Sequence, residues 1–292
     1  VRAGLRTGTP EEPLGVRRGA LEGRTLLDAA TGTALIARGL PPQALPEEWV
    51  LSRPEEVRAV HEAHARAGAE VLLACTFNLA APRLERRLAG LTGELASRAV
   101  ALAREAAPGR RIAGALGPLG DPAGPDEVER RYARAAEALA RAGAELVWLE
   151  TQGDLAEARA GLRAARALAV PAVVTFTPRA AAEGLALADG TPAETCLAAV
   201  ADEGAAAAGV NCVAPDARLA ALALWARAHL GIPFIAKPAA GLPGAILPPD
   251  AFAAALRPAL AAGVDLAGGC CGTTGEHLRA LAVTWASLPR AG

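Results

Sequence analysis

The sequence has no methionine, one lysine (Lys237), and aromatic residues at only 3% of its 292 positions. So few aromatics argue against a base-stacking platform for nucleic acid. The formal net charge is -1, which leaves no basic surplus to hold phosphate backbones or acidic membranes. No run of about 18 apolar residues is free of charge, which excludes a transmembrane helix. The opening VRAGLRTGTPEEPLGVRRGA carries arginines but no apolar core ahead of a cleavage site. It reads as a loose polar lead-in over residues 1–23 rather than a secretory signal, with one domain over 24–290. Five cysteines are too few, and odd in number, for a disulfide framework. In the cytoplasmic protein expected here, they point to metal binding or catalysis.

What is present is alternation. Short apolar runs occur at 25–30, 69–75, 111–117, 144–150, 171–177, 208–212, 232–237 and 264–270. Helical segments rich in Ala, Arg and Glu follow them, near 54–67, 92–107, 126–142, 154–168, 192–206, 216–229, 249–262 and 275–287. Continuous apolar strands alternating with helices predict a parallel sheet covered by helices. Eight such units predict an α/β fold closed as a single (β/α)8 TIM barrel, with an open doubly wound sheet as the alternative. The recurring AGAE and AGVD read as helices that end at Gly and turn into the next strand. The segments 32–52 and 177–191 read as irregular loops on the carboxyl-terminal face.

The unusual residues gather at the same strand ends. Asp28 ends the first strand, Glu150 the fourth, Cys212 the sixth, Lys237 the seventh, and Cys270 with Cys271 the eighth. Barrel enzymes build their sites on this face. Three thiols converging there suit zinc, with the fourth tetrahedral position left for substrate or water. Three buried, inert cysteines are the other reading of the same spacing.

The motifs GVNC and GGCCGTTGEH, in that order, resemble the homocysteine S-methyltransferase family. The resemblance runs over about residues 24 to 287. It includes LLDAATGTALIARGL, PEEWVLSRPEEVRAVHEAHARAGAEVLLACTF, GALGPLG, LETQGDLAEA and AKPAAGLP. It implies a Zn2+ barrel that methylates homocysteine to methionine. By the same resemblance Cys212, Cys270 and Cys271 are the zinc thiolates. Asp28 and Glu150 then receive the substrate's ammonium, and Thr76 is a weaker candidate for its carboxylate. The family's donors include methylcobalamin charged from methyltetrahydrofolate, sulfonium compounds and betaine. A corrinoid protein is one partner this implies; nucleic acid and membrane are not.

The sequence departs from the family pattern in three places. Cys75 stands where Asn is usual, either as packing or as a fourth thiol near the zinc. Ala239 replaces an Asn and removes a polar contact. Gly275 replaces a Pro, while Thr273 and Glu276 keep a capping-box pattern. Cys196 reads as helix core. His61 and His64 share one helix face far from the strand ends, and His229 and His277 read as ordinary helix-end residues. Two other functions stay open: a zinc- or thiol-binding barrel without turnover, and a Schiff-base lyase or aldolase acting through Lys237.

Overall fold

The computed structural model describes residue 21 and residues 23–121, 124–241 and 244–289. Apart from Leu21 and Gly23, the expected lead-in lies outside the described residues. In chain order the elements are β1 (Thr25–Leu26), α1 (Thr31–Ala37), α2 (Pro46–Ser52), α3 (Pro54–Arg66), β2 (Val71–Ala74), α4 (Pro82–Arg87) and α5 (Thr92–Ala106). Next come β3 (Arg111–Leu116), α6 (Pro125–Arg141), β4 (Leu146–Gln152), α7 (Leu155–Ala167), β5 (Ala172–Phe176), β6 (Arg179–Ala180) and β7 (Leu185–Ala186). The rest are α8 (Ala193–Asp202), β8 (Ala207–Asn211), α9 (Ala217–His229), β9 (Phe234–Lys237), α10 (Pro249–Ala262), β10 (Leu266–Ala267) and α11 (Gly275–Ala286).

Eight parallel strands run in the order β1-β10-β9-β8-β5-β4-β3-β2. A parallel bridge between Leu27 and Val71 joins the two ends of that order, and Glu70 N donates to Leu26 O at 2.7 Å. The sheet is therefore a barrel, and the open doubly wound alternative falls. All eight predicted strands and their eight helices are present. Among the described residues, no helix is long and apolar enough to cross a membrane.

Two apolar layers hold the fold. Inward-facing Leu27, Leu73, Leu146, Trp148, Ile235 and Leu266 fill the barrel. Trp148 is its largest member, and Ala113, Ala115 and Ala207 leave room for the ring. Its Nε1 donates to Thr175 Oγ1 at 3.1 Å. The second layer lies between the sheet and the helices, where the apolar stripe of each helix is buried. At Gly209, in β8, an added Cβ would sit 2.0 Å from the Ile235 carbonyl on the paired strand. Gly209→Ala is expected to lower stability by at least about 2 kcal/mol, as overpacking does; a urea melt matching wild type would refute this.

The AGAE and AGVD repeats work at the opposite end from the strand carboxyl termini. Gly68 and Gly143 adopt φ of 104° and 83°. The following amides, Ala69 N and Ala144 N, reach back to His64 O and Leu139 O, which satisfies carbonyls left free at the helix ends. The acidic residue of each repeat accepts a neighbouring strand's first free amide. Glu70 takes Leu26 N at 3.0 Å, Glu145 takes Ile112 N at 3.2 Å and Asp265 takes Phe234 N at 2.8 Å.

Two segments read as irregular are structured. Residues 32–52 carry most of α1 and all of α2, and 177–191 carry the antiparallel hairpin β6–β7. Helix α2 begins with Pro46 followed by Glu47 and Glu48, a helix-start signal within the sequence. The capping box of α11 lies one residue later than predicted. Thr273 Oγ1 is engaged by the Cys270 carbonyl at 2.6 Å, so Thr274 is the N-cap. Its hydroxyl accepts from Glu276 N at 3.2 Å, and His277 Nδ1 accepts from Thr274 N at 3.2 Å.

Candidate metal centre

The three predicted thiols meet at the carboxyl-terminal mouth. Cys212 follows the last residue of β8 with φ of 55°, a left-handed conformation that costs a non-glycine residue energy. Its amide donates to Lys237 O at 3.1 Å, which fixes it against β9. Cys270 and Cys271 lie in the turn after β10. Cys270 N donates to Pro238 O at 2.8 Å, and Cys271 O accepts from Ala240 N at 2.9 Å. Gly272 closes the turn with φ of 78°, and a Cβ there would meet the Gly241 carbonyl at 2.5 Å. The glycines around the cysteine pair thus let two backbone turns press together.

The three sulfurs lie within 4.8 Å of one another. Cys212 Sγ is 3.5 Å from Cys271 Sγ. Cys212 and Cys270 are paired as a disulfide with Cα atoms 5.4 Å apart, so a three-thiolate site requires their reduced state. Three thiolates bound at about 2.3 Å to a tetrahedral ion stand roughly 3.8 Å apart. The Cys212–Cys271 separation is already close to that spacing, reduction frees the Cys212 and Cys270 sulfurs to move apart towards it, and the all-sulfur donor set suits zinc. For Cys271 alone, burial and then the Glu150 charge push the thiol above its ordinary range. A cation at the cluster reverses that preference.

Asn211, which the sequence reading passed over, ties the site together. It is fully buried. Its Oδ1 accepts from Thr151 N at 3.0 Å, while Nδ2 donates to Thr151 Oγ1 at 2.8 Å and lies 3.7 Å from Cys270 Sγ. Thr151 also has a left-handed φ, 61°. One amide side chain therefore holds the strained residue after Glu150 and touches a thiol of the cluster. A polar residue directly before Cys212, at a strand end, was the available signal.

The predicted substrate residues are not equivalent. Asp28 has no exposed surface. Its Oδ1 accepts from Lys237 Nζ at 2.8 Å and its Oδ2 from Leu73 N at 2.8 Å. The Glu150 side chain is 15% exposed, with Oε1 3.4 Å from Lys237 Nζ. Burial raises the Glu150 carboxyl above its usual range, and the Lys237 charge only partly offsets this. For Lys237, burial favours the neutral amine, but Asp28 and Glu150 together outweigh it and hold the ammonium above the ordinary lysine value. Thr76 is buried in the barrel wall, and its hydroxyl donates to Ala115 O at 2.9 Å.

The other singled-out residues contribute no ligand to the cluster. Cys75 is buried in the outer core, where burial and then Glu47 push its thiol well above the ordinary value. It is not one of the clustered sulfurs. Cys196 is buried in α8, its thiol pushed up to about 11 by burial first. Ala239 keeps a backbone bond to Val213 O at 2.9 Å and offers only a methyl group. His61 and His64 are buried on α3. His229 Nδ1 lies 2.8 Å from Trp225 O within α9.

Known proteins resemble this chain in sequence and in fold. Residues 25–284 match the family model described as homocysteine S-methyltransferase. A methionine synthase of Mycobacterium tuberculosis is 30% identical over 82% of this chain. This chain spans 22% of that protein's length. Homocysteine S-methyltransferase 4 of Zea mays is 28% identical and covers 94% of both chains. Among solved structures, the homocysteine methyltransferase MmuM from Escherichia coli, in its metallated form, superposes with a TM-score of 0.75. The identity is 28%, over 90% of this chain and 96% of that one. With the family match over nearly all of the barrel and the paired cysteines in the turn after its last strand, this chain belongs to the homocysteine S-methyltransferase family.

Proposed function

We propose that this protein transfers a methyl group to the sulfur of homocysteine, giving methionine, at a zinc site formed by Cys212, Cys270 and Cys271. The observation that carries the reading is the convergence of three thiols at the open mouth, with no fourth protein ligand in their group among the described residues. Zinc, when bound, keeps a substrate thiol as thiolate at neutral pH, where a free thiol of pKa about 8.5 is mostly protonated. Cys212, Cys270 and Cys271 would hold the ion, and the absence of a fourth protein ligand in their group among the described residues would leave room for that sulfur. Glu150, facing the mouth, receives the substrate's ammonium. Asp28 supports it from below through Lys237. The packed layer around Trp148 closes the barrel beneath, so substrate and donor share one entrance. The substrate sulfur attacks the donor's methyl carbon, and the bonding pair of the broken bond leaves with the donor.

The donor classes that fit are a methyl corrinoid charged from methyltetrahydrofolate and a sulfonium compound. Lys237 as a Schiff-base nucleophile has no support, because its side chain is 2% exposed and its ammonium is paired with Asp28 and Glu150.

The test is methionine formation by reduced, zinc-loaded protein. Homocysteine is supplied with methylcobalamin, S-methylmethionine, S-adenosylmethionine or betaine in parallel. Turnover with one donor, abolished in Cys212→Ser, is the expected result. Bound zinc and bound homocysteine without methionine from any donor would leave a binding barrel and sink the proposal.

A further inference from the structure

A lysine occupies the place where two carboxylates would otherwise face a substrate amine. Lys237 extends from β9 into the barrel, its Nζ 5.6 Å from the Trp148 ring centroid. That ring supports the ammonium from one side, and the two carboxylates hold it from the other. Asp28 has spent both oxygens, one on Lys237 and one on Leu73 N. Glu150 has spent one. Among the described residues, no hydrogen bond reaches its Oε2, and part of its side chain is open to the mouth.

We infer that Lys237 is the positioning residue that makes this site selective for a thiol bearing an ammonium group. It draws Glu150 to one side through Oε1 and leaves Oε2 as a single acceptor. It also cancels Asp28, so the group of three carries one net negative charge, matched to one incoming ammonium. This inference rests on the function proposed above and identifies which carboxylate reads the amino group.

The experiment uses reduced, zinc-loaded protein without methyl donor. Binding of homocysteine is compared by calorimetry with that of 4-mercaptobutanoate, which keeps the thiol and carboxylate and lacks the amine. Wild type should prefer homocysteine by about 10- to 100-fold, the worth of one hydrogen bond to a charged group. Lys237→Met should lose most of that preference while binding 4-mercaptobutanoate and zinc as before. Because this change leaves Asp28 buried and unpaired, Lys237→Met/Asp28→Asn is measured beside it; there only the hold on Glu150 Oε1 is lost, and the preference should still fall, by the share that positioning carries. Glu150→Gln should lose the preference equally, and adding it to Lys237→Met should cost nothing further, since both act on one contact. Lysine variants that keep the full preference, or weaken both thiols alike, overturn the inference. A wild type that binds both thiols equally overturns the role of Glu150 as well. A wild type that binds neither overturns the function itself.

Discussion

Cys271→Ser is expected to strip the protein of zinc and of methyl transfer together. A serine hydroxyl stays protonated at neutral pH and is a poor substitute for thiolate at a soft site. Removal of an outer-shell partner alone costs about 10- to 100-fold in metal affinity or activity. A lost ligand should exceed that, because a three-thiolate site has no spare donor: Cys75 lies in the outer core and outside the cluster. Zinc per chain after dialysis against a chelator, read beside methionine formation, checks both losses. Cys75→Ser serves as the control and should keep its metal. A Cys271→Ser protein that retains zinc at wild-type affinity would remove the basis of the proposed site.

Acid should unfold the protein through two histidines that take no part in the chemistry. His61 is fully buried and its ring nitrogens have no hydrogen-bond partner; His64 is nearly as buried, with Nδ1 unpartnered. Burial first, and then the neighbouring His64, lower His61 to about 4. Burial also lowers His64 to about 4, with Asp28 opposing that shift and Lys237 adding to it. An unfolded histidine takes up its proton near pH 6.5, and the folded one only near 4. Between those values the unfolded chain binds more protons, so stability is complete above about pH 7 and falls as pH drops from about 6.5 towards 4. The loss by pH 5 is about 2 kcal/mol for each histidine. Glu47 and Glu150, raised above their usual range chiefly by burial, work the other way in the same window. The difference between wild type and His61→Leu therefore isolates the effect. Urea melts at pH 7.5 and pH 5 should show the variant losing about 2 kcal/mol less than wild type. Equal losses would show that His61 is not a buried neutral group.

The barrel was legible because its signal is repeated eight times and each copy is local. A short apolar run, a helical run and a glycine stop can be read without knowing what they touch. Helices α1 and α2 were missed because α1 is seven residues long and buries mainly Leu35, too little for a periodic pattern to emerge. The three cysteines were legible because adjacent thiols flanked by glycine have few structural uses. The partners of Asp28 were not. Its contacts come from Leu73 and Lys237, 45 and 209 residues away, and only closure of the barrel brings them together. The shift of the cap from Thr273 to Thr274 has the same kind of cause, since the Cys270 carbonyl takes the hydroxyl that local spacing would assign to α11.

The placement of the thiols also bears on how the chain is made. Cys212 follows β8, while its two companions follow β10, and Lys237 of β9 pairs with Asp28, just beyond β1. During translation, a nascent chain has one of the three ligands until residue 270 has been added. A ribosome-bound intermediate short of that point can fold helices and pair strands, but it cannot hold zinc through this cluster. Metal uptake then becomes a late, nearly all-or-none event in biogenesis, and prematurely terminated products are released without it.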